Sequence, residues 1–161
     1  MSPTTGSCLC RAITYQIKGP PGYTGICHCT NCRKWTGSMF TANSGYMKSQ
    51  LSLLTGEEDL KTYVDSETTS GLSLMRQFCG KCGSSMFTIS EQHESMKSII
   101  VVWFGTQDGT DVRGLGNDKW APVAEGFCTE RAPFLPDFNC ELKFEKMITV
   151  RTDDKGEFIR A

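Results

Sequence analysis

The stretch "CHCTNCRKWTG", residues 27–37, sets Cys27, His28, Cys29 and Cys32 within six positions and then runs into Arg33, Lys34 and Trp35. Cysteine at this density implies a disulfide, a redox thiol or a metal, and the choice decides what kind of fold the chain can have. Outward from it lie two more tight groups, Cys8 and Cys10 in "GSCLCRAITY" and Cys79 and Cys82 in "FCGKCGSSMF", while Cys128 and Cys140 stand alone. Nine cysteines cannot all pair internally. The N-terminal "MSPTTGSCLC" has neither a basic nor an apolar segment of the secretory kind, so the expected setting is cytoplasmic and reducing, where metal binding is favoured over disulfides.

The spacings suit a soft, tetrahedral ion. In an extended C-x-C, residues i and i+2 share one face, so both sulfurs reach one ion and the residue between them points away. In C-x-x-C a tight turn brings two sulfurs together, and Gly80 and Gly83 of "CGKCG" give the backbone that freedom. Thiolates select zinc over hard cations. The ferredoxin run C-x₂-C-x₂-C is absent. Seven clustered thiolates make one closed four-sulfur site, Cys8/Cys10/Cys79/Cys82, and one three-sulfur site, Cys27/Cys29/Cys32, with a position left for substrate. Two rival counts stand beside this one. His28 would close the second site, although the pleat turns it away from Cys27 and Cys29. Alternatively Cys29/Cys32 would join Cys79/Cys82 and leave Cys8, Cys10 and Cys27 for the second ion.

Around the cysteines the chain reads as mainly β, one domain over 1–161. "RAITYQIK" (11–18) alternates, with Ile13, Tyr15 and Ile17 on one face. Strands are also expected at 60–64, 72–78, 85–89 and 98–104, and weaker ones at 141–144 and 147–150. "SIIVVWF" (98–104) is apolar throughout and predicts a strand buried on both faces. A short helix is expected at 30–37, capped by Thr30 or Asn31. Loops are expected at 19–26, 65–71 and 105–119. With a net charge of −1 the chain lacks the basic excess of a nonspecific nucleic-acid binder. The longest apolar run is strand-length, so no membrane span is expected, and the partner is a small-molecule substrate.

In order and spacing, "GSCLCRAITY", "CHCTNCRKWTGS" and "FCGKCGSSMF" resemble the glutathione-dependent formaldehyde-activating enzyme family, which includes centromere protein V; the motif core runs over about 6–136. The resemblance implies an all-β, Mss4-like, zinc-bound fold. It also implies two Zn²⁺ ions, a structural one on Cys8, Cys10, Cys79 and Cys82 and a catalytic one on Cys27, Cys29 and Cys32. The family's named reaction joins glutathione to formaldehyde and is classed as a carbon–sulfur lyase. Some fungal members are associated with dehydration or lyase steps on natural-product intermediates. Here "ERAPFLP" (130–136) departs from the relatives' distal motif, with Phe134 where they often carry tryptophan. This bears on the substrate rather than on the metals.

The remaining candidates follow from chemistry. Arg33 and Lys34 offer cations for an acidic substrate, against the alternative of a solvated edge, and Trp35 lines either a pocket or the core. His28 and Ser38 are candidate proton carriers. Glu125 is a candidate general base, with a surface carboxylate preferred, and His93 is expected at the surface. Cys128 and Cys140 are expected as buried free thiols, with an approach of one of them to the open metal as the alternative.

Overall fold

A computed structural model describes residues 3–92, 94–108 and 121–149. Two sheets face each other across the main core. The smaller has the order β1 (Thr4–Ser7), β2 (Thr14–Ile17), β5 (Leu51–Thr55). The larger runs β11 (Leu142–Lys143), β10 (Ala124–Gly126), β3 (Tyr23–Cys27), β4 (Thr41–Met47), β9 (Ile99–Trp103), β8 (Ser85–Ile89), β7 (Leu74–Cys79), β6 (Leu60–Asp65). Its pairings are antiparallel except at β10, which runs parallel to both β3 and β11. One α-helix is present among the described residues, α1 (Thr30–Thr36). The fold is mainly β, as the alternation predicts, and no helix of the described residues is long and apolar enough to cross a membrane.

The alternation of β2 is what builds the core. Ile13, Tyr15 and Ile17 are all fully buried and meet Tyr46, Met86, Phe87, Ile100 and Val102 from the large sheet. The Tyr15 and Phe87 rings meet edge-on at 5.1 Å. Each such side chain contributes roughly 1.5–3 kcal/mol on burial. Strand β9 is central and covered on both faces: Ile100 and Val102 enter this core, while Ile99, Val101 and Trp103 face a cavity on the other side.

The structure departs from the sequence expectations at several elements. Residues 23–26, expected in a loop, belong to β3, and β1, β4, β5 and β10 were not foreseen. No strand covers 147–149. The expected loop at 65–71 is present from residue 66, with Asp65 ending β6, whereas residues 109–119 of the 105–119 loop, Val150 and His93 lie outside the described residues. The helix cap is neither Thr30 nor Asn31 but Cys29, whose Sγ accepts the Cys32 N–H at 3.3 Å.

Candidate metal centre and its cavity

The first cysteine group forms where two hairpins meet. Cys8 and Cys10 sit in the turn between β1 and β2, not on an extended strand. Arg11 takes a left-handed backbone (φ 60) there, and its N–H donates to the Cys8 carbonyl at 2.9 Å. Cys79 ends β7, and left-handed Gly83 (φ 74) turns the chain so that Cys82 folds back. The sulfurs of Cys8, Cys10, Cys79 and Cys82 all lie within 4.8 Å of one another. Cys8 and Cys10 are 3.5 Å apart, and Cys10 and Cys79 are 3.8 Å apart. Four sulfurs about 2.3 Å from one tetrahedral ion would be about 3.8 Å apart, whereas a disulfide needs about 2.05 Å. The cysteines are free, so the donor set fits a closed ion such as zinc. Hydrogen bonds from the Ser84 side chain and backbone lower the Cys82 thiol to about 5.

The second group is Cys27, at the end of β3, Cys29, at the helix cap, and Cys32, in the first turn of α1; their sulfurs also fall within 4.8 Å of one another. Among the described residues no fourth ligand joins them. His28 points the other way, as the pleat requires, and is fully buried against the paired Phe40 and Phe138 rings. Its Nε2 lies 2.8 Å from Glu125 Oε1, and its Nδ1 has no partner among the described residues. Cys128 Sγ donates to the Glu125 carbonyl at 3.4 Å and stays outside the group, while Cys140 is a buried thiol. Both rival ligand counts are thus set aside: the groups are 8/10/79/82 and 27/29/32.

Charge is distributed unequally in the trio. Hydrogen bonds from Cys27 and Cys29, then Arg76, hold Cys32 well below the usual thiol range, and Cys27 is pushed up by its bonds to Cys29 and Cys32. Cys32 is therefore the first thiolate. Arg76 on β7 is almost wholly buried, with Nε donating to Asp65 Oδ2 at 2.7 Å and Nη1 standing 4.0 Å from Cys32 Sγ. Asp65 also accepts from Asn31 Nδ2 at 3.2 Å, which ties the helix to β6. A buried guanidinium is tolerable only with such pairing.

All three cysteines line a cavity of about 290 Å³. Its floor is one row across the large sheet. Arg76 pairs with Thr88, Thr88 with Val101, Val101 with Gly45, and Gly45 with Tyr23; four of these five line the cavity. Gly45 is required there, since a Cβ would stand 2.0 Å from Tyr23 Cε1. Thr68, Thr69 and Ser70 of the 65–71 loop form one rim, and Met147, Ile148 and Thr149 another.

Several candidate residues sit elsewhere. Arg33, Lys34 and Trp35 do not line the cavity. Arg33 approaches Glu130 at 3.8 Å, Lys34 is exposed, and Trp35 stacks on Tyr63 with Arg76 over its ring. Ser38 is exposed. Glu125, read as a surface carboxylate, is fully buried and held by Arg131 Nη2 at 2.7 Å, because that cation and His28 supply the partners burial demands. The sequence reading passed over Arg76, Thr88, Trp103 and Tyr23. One signal was available: in "LSLMRQF" the alternation puts Arg76 on the inward face with Leu74, a charge where only a paired one survives.

Comparison with known proteins agrees with this architecture. A crystal structure of a Rhodobacter sphaeroides protein, solved as a structural-genomics target, superposes with a TM-score of 0.54 at 24% identity, covering 70% of this chain and 94% of that one. This likeness shows the fold. No curated protein matches the chain significantly. The model of the glutathione-dependent formaldehyde-activating enzyme family matches residues 3–130. With most of its length matched and both cysteine groups assembled, the chain belongs to the glutathione-dependent formaldehyde-activating enzyme family.

Proposed function

We propose that the chain is a zinc-dependent enzyme of the lyase class. In this reading Cys8, Cys10, Cys79 and Cys82 hold a structural ion, and Cys27, Cys29 and Cys32 hold the ion that meets substrate. The observation that carries it is three clustered thiols, with no fourth ligand among the described residues, on the wall of a cavity. When bound, zinc on three thiolates supplies a modest Lewis acid that lowers the pKa of a thiol or polarises an oxygen in its fourth position.

The protein's own groups have separable tasks. Arg76 lies beside Cys32 Sγ, steadies that thiolate and moderates its basicity. The Asn31–Asp65–Arg76 chain fixes the guanidinium. Tyr23 lines the cavity, and burial, then Cys27 and Cys32, push its phenol above its usual range; it stays protonated and is the candidate proton donor. His28, facing Glu125 away from the cavity, orients the backbone between two ligands and carries no proton to substrate. A thiol substrate would undergo carbon–sulfur bond formation or cleavage here, and a hydroxy ketone would lose water.

A scaffold with two closed metals is the contrasting reading. Cobalt substituted for zinc separates the two. The ligand-field bands of one of two cobalt ions should shift when 2-mercaptoethanol is added. Two ions that both ignore the thiol would overturn the open-site reading.

A further inference from the structure

Asn31 stands on α1 between Cys29 and Cys32 and lines the cavity with them. Both ends of its side chain are engaged. Nδ2 donates to Asp65 Oδ1 and Oδ2, each at 3.2 Å, and to the Glu67 carbonyl at 3.1 Å. Oδ1 accepts from the Thr69 N–H at 3.2 Å and from Thr69 Oγ1 at 3.1 Å. A side-chain amide serves a carboxylate with one end and an N–H with the other. An aspartate there would meet Asp65 with like charge, and an alanine would serve neither partner.

The segment that Asn31 holds, 66–71, is built as a wall. Thr68, Thr69 and Ser70 line the cavity, and Thr69 is also exposed, so the segment stands between cavity and solvent. Its shape is fixed from within. Thr68 Oγ1 donates to the Leu72 carbonyl at 2.6 Å and lies 3.0 Å from Ser70 Oγ. The Gly71 N–H closes a turn on the Thr68 carbonyl at 3.0 Å, and Gly71 takes the left-handed backbone that this turn needs (φ 76). Its position is fixed by Asn31, at Glu67 and at Thr69. Asp65 has a second hold, the Arg76 Nε bond at 2.7 Å. Loss of the Asn31 amide therefore frees the wall while Arg76 still holds the end of β6. The cavity behind the wall, about 290 Å³, is no larger than the smallest usual ligand sites, roughly 300 Å³.

We propose that the 66–71 segment selects by size which ligand reaches the open metal, and that Asn31 and Thr69 determine this specificity by fastening it to the metal helix. Slim ligands pass the wall as it stands. Bulky ones enter when it swings out, so their rate of entry follows the fraction of molecules in which the Asn31–Thr69 bonds are broken. This deepens the open-site reading above and rests on it for a metal position that takes an outside ligand.

The test is stopped-flow absorbance of thiol binding to the cobalt-loaded full chain. The probes are 2-mercaptoethanol and 2-naphthylmethanethiol, two alkyl thiols that differ mainly in bulk. The quantity read is the ratio of their association rates. In the wild type the naphthyl thiol should be the slower by on the order of tenfold or more, the worth of the two bonds that must break. Asn31→Ala removes both bonds and should bring the ratio close to one. Thr69→Val removes the hydroxyl bond alone and should shift the ratio several-fold in the same direction. Thr69→Ser keeps that bond and should keep the wild-type ratio. A merely structural role would slow or speed both thiols together. If Asn31→Ala does not fold or does not hold two metals, the two Thr69 variants decide. Equal rates for the two thiols in the wild type, or a wild-type ratio in Thr69→Val, would overturn the size selection alone. A wild-type spectrum that ignores both thiols would overturn the open-site reading and the size selection with it.

Discussion

Glu125 Oε1 lies 2.8 Å from His28 Nε2 and 2.7 Å from Arg131 Nη2, with the Glu125 and His28 side chains wholly buried. A carboxylate bound by Arg131 only accepts, so His28 Nε2 carries the proton and donates. The pair joins β10 to the residue between two metal-site cysteines, across 97 positions of sequence. Glu125→Ala would strip His28 of its carboxylate and leave Arg131 with Asp137, 3.8 Å away. Loss of one member of a buried charged set costs about 3–5 kcal/mol, and this one should fall near the lower end because Arg131 reaches solvent. Urea unfolding would show it as a lowered midpoint, and metal at 27–32 should dissociate faster than from the wild type. An unchanged midpoint would contradict the role given to this pair.

The Gly45→Ala substitution adds one methyl group where Tyr23 crosses β4. The new Cβ would stand 2.0 Å from a ring carbon, so the ring must swing out of the cavity floor. Overpacking of this kind costs about 1–3 kcal/mol. Thermal unfolding measures the cost, and the ring's amide neighbours on β3 should shift in the NMR spectrum. A variant as stable as the wild type, with unshifted β3 amides, would show that the contact is not tight.

The two cysteine groups should fail differently. Cys79→Ser removes one sulfur from the four-cysteine group that joins the β1–β2 turn to the β7–β8 hairpin, next to the main core. Because structural zinc binding is folding free energy, this variant should lose its cooperative unfolding transition or unfold many degrees lower. Cys29→Ser should lose one metal and keep a cooperative transition, because the trio sits in a smaller cluster with Trp103 and Phe127. Calorimetry and metal analysis on both variants check this, and equal damage from both would contradict it.

Much of this was legible in the sequence, and the gaps have physical causes. The cysteine count offered the observed grouping beside two rivals, alternation carried β2, strand-like runs carried β6, β7 and β8, and an unbroken apolar run carried β9. Strands β3 and β4 were hidden by "YTGIC" and "TANSGYM", whose Gly25, Asn43, Ser44 and Gly45 read locally as turn residues. Pairing with β9 and the crossing of Tyr23 over Gly45 override that weak preference. Glu125 was misread because a carboxylate is rarely buried without partners, and its partners are set only by the parallel pairing of β10 with β3. The Cys29 cap was missed because a sulfur took the place usually given to a hydroxyl.

Acid should empty the two sites in order. Thiolates must be deprotonated to bind metal, so falling pH favours release. Each group mixes a lowered thiol, Cys82 or Cys32, with a raised neighbour, Cys10 or Cys27, so the number of sulfurs decides, and four hold an ion against protons better than three. The three-sulfur site should therefore release its ion at higher pH than the four-sulfur site. A chromophoric chelator followed through an acid titration would give two steps, with Cys29→Ser lacking the first. A single step, or loss of the four-sulfur ion first, would contradict the order.

The central claim is that one ion is closed by protein sulfur and the other is open toward the cavity. X-ray absorption at the zinc edge of gently purified protein tests it most directly. The account predicts two zinc ions per chain sharing seven protein sulfurs, with one light-atom ligand completing the coordination of the second ion. Two ions with eight sulfur ligands, or a single ion with four, would contradict it.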